Sequence, residues 1–316
     1  LGLKNYDLPK IFYDTTPCPN RQKGGSREAE KLLSTFLNSR GENYQYEMSS
    51  PISAEKSCSR LSTHLTYGTI SHRSVFQEAT QKKEKIQLTN KNFAKSINSF
   101  LSRLHWRSHF IQKLEDQPSI EHESFIPVYD QIREKDFRKL DAWIEGKTGV
   151  HFIDACMIYL RNHGWINFRM RAMLASFASY NLWLDWRYFG PRLAALFTDF
   201  EPGIHYSQLQ MQSGTTGINT IRMYNPYKQA LDQDPEAKFI KSQLPEYNNF
   251  PPSFFFKPLE LSNNENLFND SKLETIVDVT KTAKFARDKI FSIRKLPEHQ
   301  KMAKNVFIRH GSRQNR

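Results

Sequence analysis

The chain has 316 residues, 38% of them hydrophobic and 13% aromatic, which excludes wholesale disorder and suffices for one large domain or two modest ones. Lys and Arg number 45 against 33 Asp and Glu, and the net charge of +12 points either to a polyanionic partner or to an evenly solvated basic surface. Three cysteines (Cys18, Cys58, Cys156) cannot build a closed disulfide framework or an iron–sulfur cluster, and no run of apolar residues is long enough to span a membrane.

Residues 1–25 carry Pro9, Pro17, Pro19, Gly24 and Gly25 and read as a linker. The opening LGLKNYDLPKIFYD has neither the basic leader nor the apolar core of a signal peptide. A reducing compartment is expected, cytoplasmic or, in a eukaryote, nuclear. From Ser26 the pattern turns helical: Ala29, Leu32, Leu33, Phe36 and Leu37 recur at helical spacing and Gly41 stops them. A long helix is predicted over 91–116, with Ile97, Phe100, Leu101, Leu104 and Ile111 on one face. Further helices are predicted over 152–163, ending at Gly164, and over 168–188, ending before Gly190–Pro191. Shorter ones fit 192–199, 236–244, 274–288 and 298–307, and a polar loop fits 262–272. Alternating strand patterns are nearly absent, so the chain reads as mostly α.

Two features carry chemistry. The run Ser57-Cys58-Ser59-Arg60-Leu61-Ser62 places small hydroxyl residues ahead of a helix, where side-chain donors and free N–H groups suit a diphosphate or serve as an ordinary helix cap. Arg171 lies among Met170, Met173, Leu174 and Phe177, an apolar setting in which a guanidinium must be paired.

The words HFIDACMIYLRNHGWINFRMRAMLASFASYNLWLDWR, FTDFEPGIHYSQLQMQSGTTGINT and IRMYNPYKQALDQDPEAKFIKSQLPE resemble the helical flavin-binding domain of the DNA photolyase and cryptochrome family. The SRLS…GTIS…R loop and FLSRLHWRSHF at 100–110 belong to the same pattern. The resemblance implies that 26–316 form the family's all-α FAD-binding domain and that FAD is the cofactor. It assigns Tyr44, Cys58, Ser59, Arg60, Leu61, Ser62, Arg171, Asp199, Phe200, Glu201 and His205 to cofactor binding. Arg171 is expected to pair with Asp199 beside the isoalloxazine ring, with Glu201 near the ring edge or ribityl chain. His205 falls at the position facing flavin N5, where a histidine titrating near neutrality would exchange a proton. A plain loop histidine is the alternative. Trp106 is expected to stack on a flipped lesion, with Arg103, Arg107, Arg169 and Met211 completing the DNA-facing set. Trp186 matches the middle member of the family's electron-supplying tryptophan chain.

Departures accompany the match. Arg103 stands where the common pattern has a lesion-binding Glu, Phe168 where it has Asn, and Met211 where it has a second stacking Trp. Cys58 replaces a Thr. Leu209 and Arg133 replace two of the three tryptophans, and Trp183 and Trp186, three apart, are expected to share one helix face. The implied function is light-driven, FAD-dependent repair of pyrimidine dimers in damaged DNA, with the cyclobutane type favoured. A blue-light photoreceptor without repair is the alternative, and a flavin-free DNA-binding relic ranks last. A monomer is expected, without the antenna domain that family members carry upstream.

Overall fold

The computed structural model describes residues 17–257 and 275–311. Most of the expected linker and the polar loop at 262–272 lie outside the described residues. Among those described the secondary structure is helical, and the one β-contact is an isolated bridge between Glu134 and Leu184. The helices are α1 (Ser26–Thr35), α2 (Tyr44–Glu47), α3 (Pro51–Ser57), α4 (Ser62–Thr66), α5 (His72–Ile86), α6 (Lys91–Asp116), α7 (Phe137–Glu145) and α8 (His151–His163). They continue with α9 (Phe168–Ser176), α10 (Trp186–Ala194), α11 (Pro202–Ser213), α12 (Pro226–Gln233), α13 (Lys238–Gln243), α14 (Val279–Arg294) and α15 (Pro297–His310).

The ends of these helices follow from local chemistry. Asn90 accepts the Phe93 N–H at 3.0 Å and starts α6, Asp136 caps α7 through Lys139, and Asp185 caps α10 through Arg187. Proline begins α3, α11, α12 and α15, where its missing N–H costs nothing.

The long helix expected over 168–188 is instead broken. After α9 the chain passes through a π-helical turn at Phe177–Asn181, and Trp183 adopts φ +58° before α10 begins. Trp183 and Trp186 therefore sit on separate elements, and Gly190–Pro191 lie inside α10 rather than after a helix. The piece expected at 192–199 is the tail of α10 followed by a loop. Asp185 dictates the restart, because its carboxylate caps Arg187 N–H and holds the Arg187 side chain. Periodicity misses α5, α7, α11 and α12. In α11 the buried face includes Ser207, Gln210, Gln212 and Ser213, so no apolar stripe marks it.

The main core gathers α8, α9, α10 and α11 around Phe152, Met157, Met173, Phe177, Trp186 and Phe189. A second core lies under α5 and α6, with Phe36, Tyr44, Leu61, Ile97 and Phe100. The two are joined where α11 crosses α6. A Cβ on Gly203 would lie 2.8 Å from Ile111 Cα, so glycine is what lets the two backbones touch.

Candidate cofactor site

The serine loop between α3 and α4 is held from beneath by Arg40. Its guanidinium donates to the carbonyls of Lys56 (2.8 Å), Cys58 (2.7 Å), Leu32 (3.0 Å) and Ser59 (3.4 Å), and Nε to Thr35 Oγ1 (3.0 Å). One side chain thus ties two loop carbonyls and the end of α3 to α1. Arg60 then takes φ +61°, a conformation costly for a residue with a Cβ, and lays its guanidinium 3.8 Å over the Trp165 ring. Its Nη1 is buried without a partner, as is Nε2 of His64 on the following helix α4. Among the described residues Arg60 makes no ion pair, and burial depresses its pKa. Arg133 is a second buried guanidinium, and its Nη1 is likewise without a partner. It donates to the carbonyls of Ser179 and Ser213 and lies over both Tyr180 and Trp183. Arg60 has one ring and the Tyr159 hydroxyl beside it, and its Nη1 is left for a further acceptor, which an anion would supply.

The second half of the site faces this loop. Arg171 meets Asp199 through two parallel bonds, Nη1 to Oδ1 at 3.0 Å and Nη2 to Oδ2 at 2.8 Å, with Nε donating to Ile166 O at 2.7 Å. The Asp199 side chain is 3% exposed and that of Arg171 24%, so the pair is buried on the acid's side. Gly164 ends α8 in the left-handed region, and both the N–H and the hydroxyl of Thr198 donate to its carbonyl at 2.9 and 3.0 Å. That anchor fixes where Asp199 stands. Thr63 Oγ1 lies 3.4 Å from Thr198 Oγ1, and Thr66 donates to Asp199 O at 3.5 Å, so the serine loop and the acid segment are in direct contact.

Glu201 accepts from Arg107 at 3.1 Å, and Arg107 also reaches Leu65 O at 3.4 Å. Arg107, expected in the DNA-facing set, makes this ion pair with Glu201. His205 Nε2 sits 2.9 Å from Gly190 O, and burial pushes the imidazole down to about 4. This corrects the expectation of titration near neutrality. The carbonyl partner requires the proton on Nε2, and the ring stays neutral. It packs edge-on against Phe200 at 5.3 Å and Tyr206 at 5.2 Å.

Tyr44 is buried, edge-on to Phe36 at 5.6 Å, and its phenol is raised by burial, with Cys58 adding to the rise and Arg103 opposing it. Arg103 is thus exposed but lies beside the Tyr44 hydroxyl. Burial pushes the Cys58 thiol up to about 12, so it is a neutral neighbour of the loop. Ser59 Oγ accepts from Leu61 N at 3.4 Å; Ser62 opens α4 half-buried; the Leu61 side chain belongs to the second core and leaves only backbone for a ligand. Trp106 is 39% exposed, stacked on Phe110 at 5.7 Å. Arg169 reaches Gln229 at 3.4 Å, and Met211 lines a small hollow with Lys113, Phe125 and His310. Trp186 is buried, donates to Ser124 Oγ at 3.0 Å, and lies 6.2 Å from Tyr206. Arg133, standing where a surface tryptophan was expected, is buried. Sequence reasoning missed Arg40, Thr63, Thr198 and Ser124: the first three meet carbonyls and hydroxyls, and Ser124 accepts from the Trp186 indole 62 residues away.

These residues fit a flavin dinucleotide: a guanidinium with an unpartnered Nη1 on a hydroxyl-rich loop and, in contact through α4, a rigid guanidinium–carboxylate pair. A family described as the FAD binding domain of DNA photolyase matches residues 100–292. The deoxyribodipyrimidine photo-lyase of Halobacterium salinarum is 30% identical over 269 residues, covering 80% of this chain and 55% of the relative. That of Escherichia coli is also 30% identical, over 258 residues, covering 80% of this chain and 52% of its own. The chain thus spans about half the length of the curated relatives it matches. Among solved structures, the archaeal photolyase of Sulfolobus tokodaii with two FAD molecules superposes with a TM-score of 0.68 at 29% identity, over 86% of this chain and 57% of that one. The cryptochrome of Synechocystis shares the fold, with a TM-score of 0.78 at 20% identity, over 91% of this chain and 61% of that one.

Proposed function

Because the chain belongs to the DNA photolyase and cryptochrome family, we propose that it binds FAD and uses blue light to repair pyrimidine dimers in damaged DNA, the cyclobutane type first. The observation that carries this is Arg60, whose Nη1 is buried without a partner on a loop that leads into α4, itself in contact with Asp199 of the Arg171–Asp199 pair.

In this reading Arg60 neutralises the cofactor's diphosphate, helped by the hydroxyls of Ser59 and Ser62. The bidentate Arg171–Asp199 pair lies beside the ring as a fixed dipole and favours its reduced anionic form. Bound there in reduced form, FAD would supply the light-driven one-electron chemistry that dimer splitting requires, with Arg60 and the Arg171–Asp199 pair as the residues that would hold it. His205 stays neutral and orients its ring through Gly190. Trp106 offers an exposed face on which a flipped base stacks, worth about 1–3 kcal/mol per base. Trp186 and Tyr206 lie at ring contact distance and form the inner part of an electron route to the cofactor.

A second reading, a blue-light photoreceptor without repair, is favoured by the exposed face itself. Phe168 is 54% exposed where the repair pattern has Asn, and Arg103 stands where it has Glu. A thymine-dimer oligonucleotide separates the two. Light-dependent restoration of the thymines by the flavin-loaded protein supports repair. Bound flavin with no restoration, and equal affinity for damaged and intact duplex, replaces it with the photoreceptor.

A further inference from the structure

Much of the positive charge is concentrated in one hairpin. Residues 72–113, which make α5, its turn and most of α6, hold nine Lys and Arg against only Glu78 and Glu84. Of these, Arg107 is neutralised by Glu201 and Lys82 lies over the Phe93 ring. Three others converge. Lys83, Lys91 and Lys95, with Gln45, Gln87, Asn98 and Ser99, line an open groove of about 450 Å³ on the outer side of α6, flanked by α2 and α5. Lys83 Nζ donates to Asn98 Oδ1 at 3.3 Å, so one wall is tied to the floor. Among the described residues none of the three lysines makes an ion pair, and no carboxylate lines the groove.

The lining also says what the groove is for. Its one apolar member is Ala94, and no aromatic ring faces it, so it offers nothing to a nucleobase, a flavin or a lipid tail. Point charges and neutral donors on a shallow floor suit a chain of phosphodiesters. The floor is continuous with the face proposed to meet the lesion. Lys91, Lys95, Ser99, Ser102 and Trp106 recur at helical spacing on the exposed side of α6. From Lys91 to Trp106 the rise is about 22 Å, the span of about six successive phosphates on one strand.

We propose that this α5–α6 groove is a second DNA contact, a backbone track that extends the footprint along the duplex about half a helical turn to one side of the base stacked on Trp106. It rests on the repair reading above. Its role is positional: it sets the direction in which the duplex lies across α6 and carries no sequence preference.

The test is the salt dependence of binding to a labelled duplex with one thymine dimer, measured by fluorescence anisotropy on the full chain. The K83Q/K91Q/K95Q variant is expected to lose about 0.9 units of the log-affinity versus log-salt slope per contact, about 2 to 3 units in all. A charge-matched K139Q/K147Q/K238Q variant on α7, the turn after it and α13 is expected to keep the wild-type slope. A duplex cut back on the groove's side of the dimer is expected to weaken binding of the wild type and leave the triple variant unaffected. Equal slopes for the two variants, with wild-type binding intact, overturn the track and leave the repair reading standing. A wild type that ignores DNA at every salt concentration overturns both.

Discussion

Arg171 and Arg60 are both arginines in apolar company, yet they predict opposite consequences. Arg171 already has its acid. Arg171→Ala leaves Asp199 buried and unpaired, a loss of about 3 kcal/mol, at the low end for a broken buried pair because Arg171's outer edge meets solvent. Its unfolding midpoint should fall together with its flavin content, read as visible absorbance per chain. Arg60 has no acid, and its Nη1 has no partner. Arg60→Met, near in length and apolar, removes an unsatisfied donor worth about 1–3 kcal/mol and should raise the midpoint of the flavin-free protein while lowering flavin retention. A variant in which both quantities fall would show that the Arg60 guanidinium is satisfied without a ligand. At this scale the sequence was readable where chemistry demanded a partner: a guanidinium among Met170, Met173 and Leu174 had to be paired. It was not readable for Arg40, whose five acceptors are four carbonyls and a hydroxyl. Carbonyls leave no mark in an amino-acid sequence. His205 misled for a related reason, since its burial and its bond to Gly190 are set by α10, an element placed differently from expectation.

Elements were legible where one face was apolar and the ends were capped. The predicted 91–116 coincides with α6, and 152–163 is one residue short of α8. Between 168 and 188 the residues are buried on nearly every side, so no period distinguishes a straight helix from a π-turn and a left-handed Trp183. The break has a consequence: it swings α10 so that Gly190 O meets His205 and Trp186 meets Tyr206. The turn after α8 is as constrained. A Cβ at Gly164, which has φ +63°, would lie 2.5 Å from Thr198 Cγ2. Gly164→Ala therefore combines a left-handed backbone cost of about 1–2 kcal/mol with displacement of Thr198. Its expected signature is a lowered unfolding midpoint accompanied by flavin loss, because Asp199 follows Thr198. A protein destabilised to the same extent by a core substitution away from this loop should keep its flavin.

For the molecule as a whole, the fold class was legible because strand alternation is absent, whereas the division of charge was not: the total of +12 does not reveal that Lys83, Lys91 and Lys95 of α5 and α6 converge on one groove. Buried titratable groups set the response to acid. His151, enclosed by Tyr247, Phe254 and Phe255, is pushed down by burial to about 4, as are His205 and His310. Each is neutral when folded and takes up a proton on unfolding between about pH 6.5 and 4, so each removes stability as pH falls through that window, by about 1.4 kcal/mol per pH unit. Asp154 acts in the opposite sense. Burial raises it to about 6 against the hydrogen bonds it accepts from Thr148 and Gly149, so the folded state holds its proton longer than the unfolded chain. Its contribution is present at low pH and disappears as pH rises through about 6. Unfolding free energies of the flavin-free protein should therefore fall from neutral toward pH 5, because the histidines outnumber the aspartate. His151→Phe, which fits the aromatic cage and cannot charge, should reduce that slope by about 1.4 kcal/mol per pH unit, and Asp154→Asn should steepen it by a similar amount. If His151→Phe leaves the slope unchanged, the imidazole is protonated inside its cage and the cage is open to water.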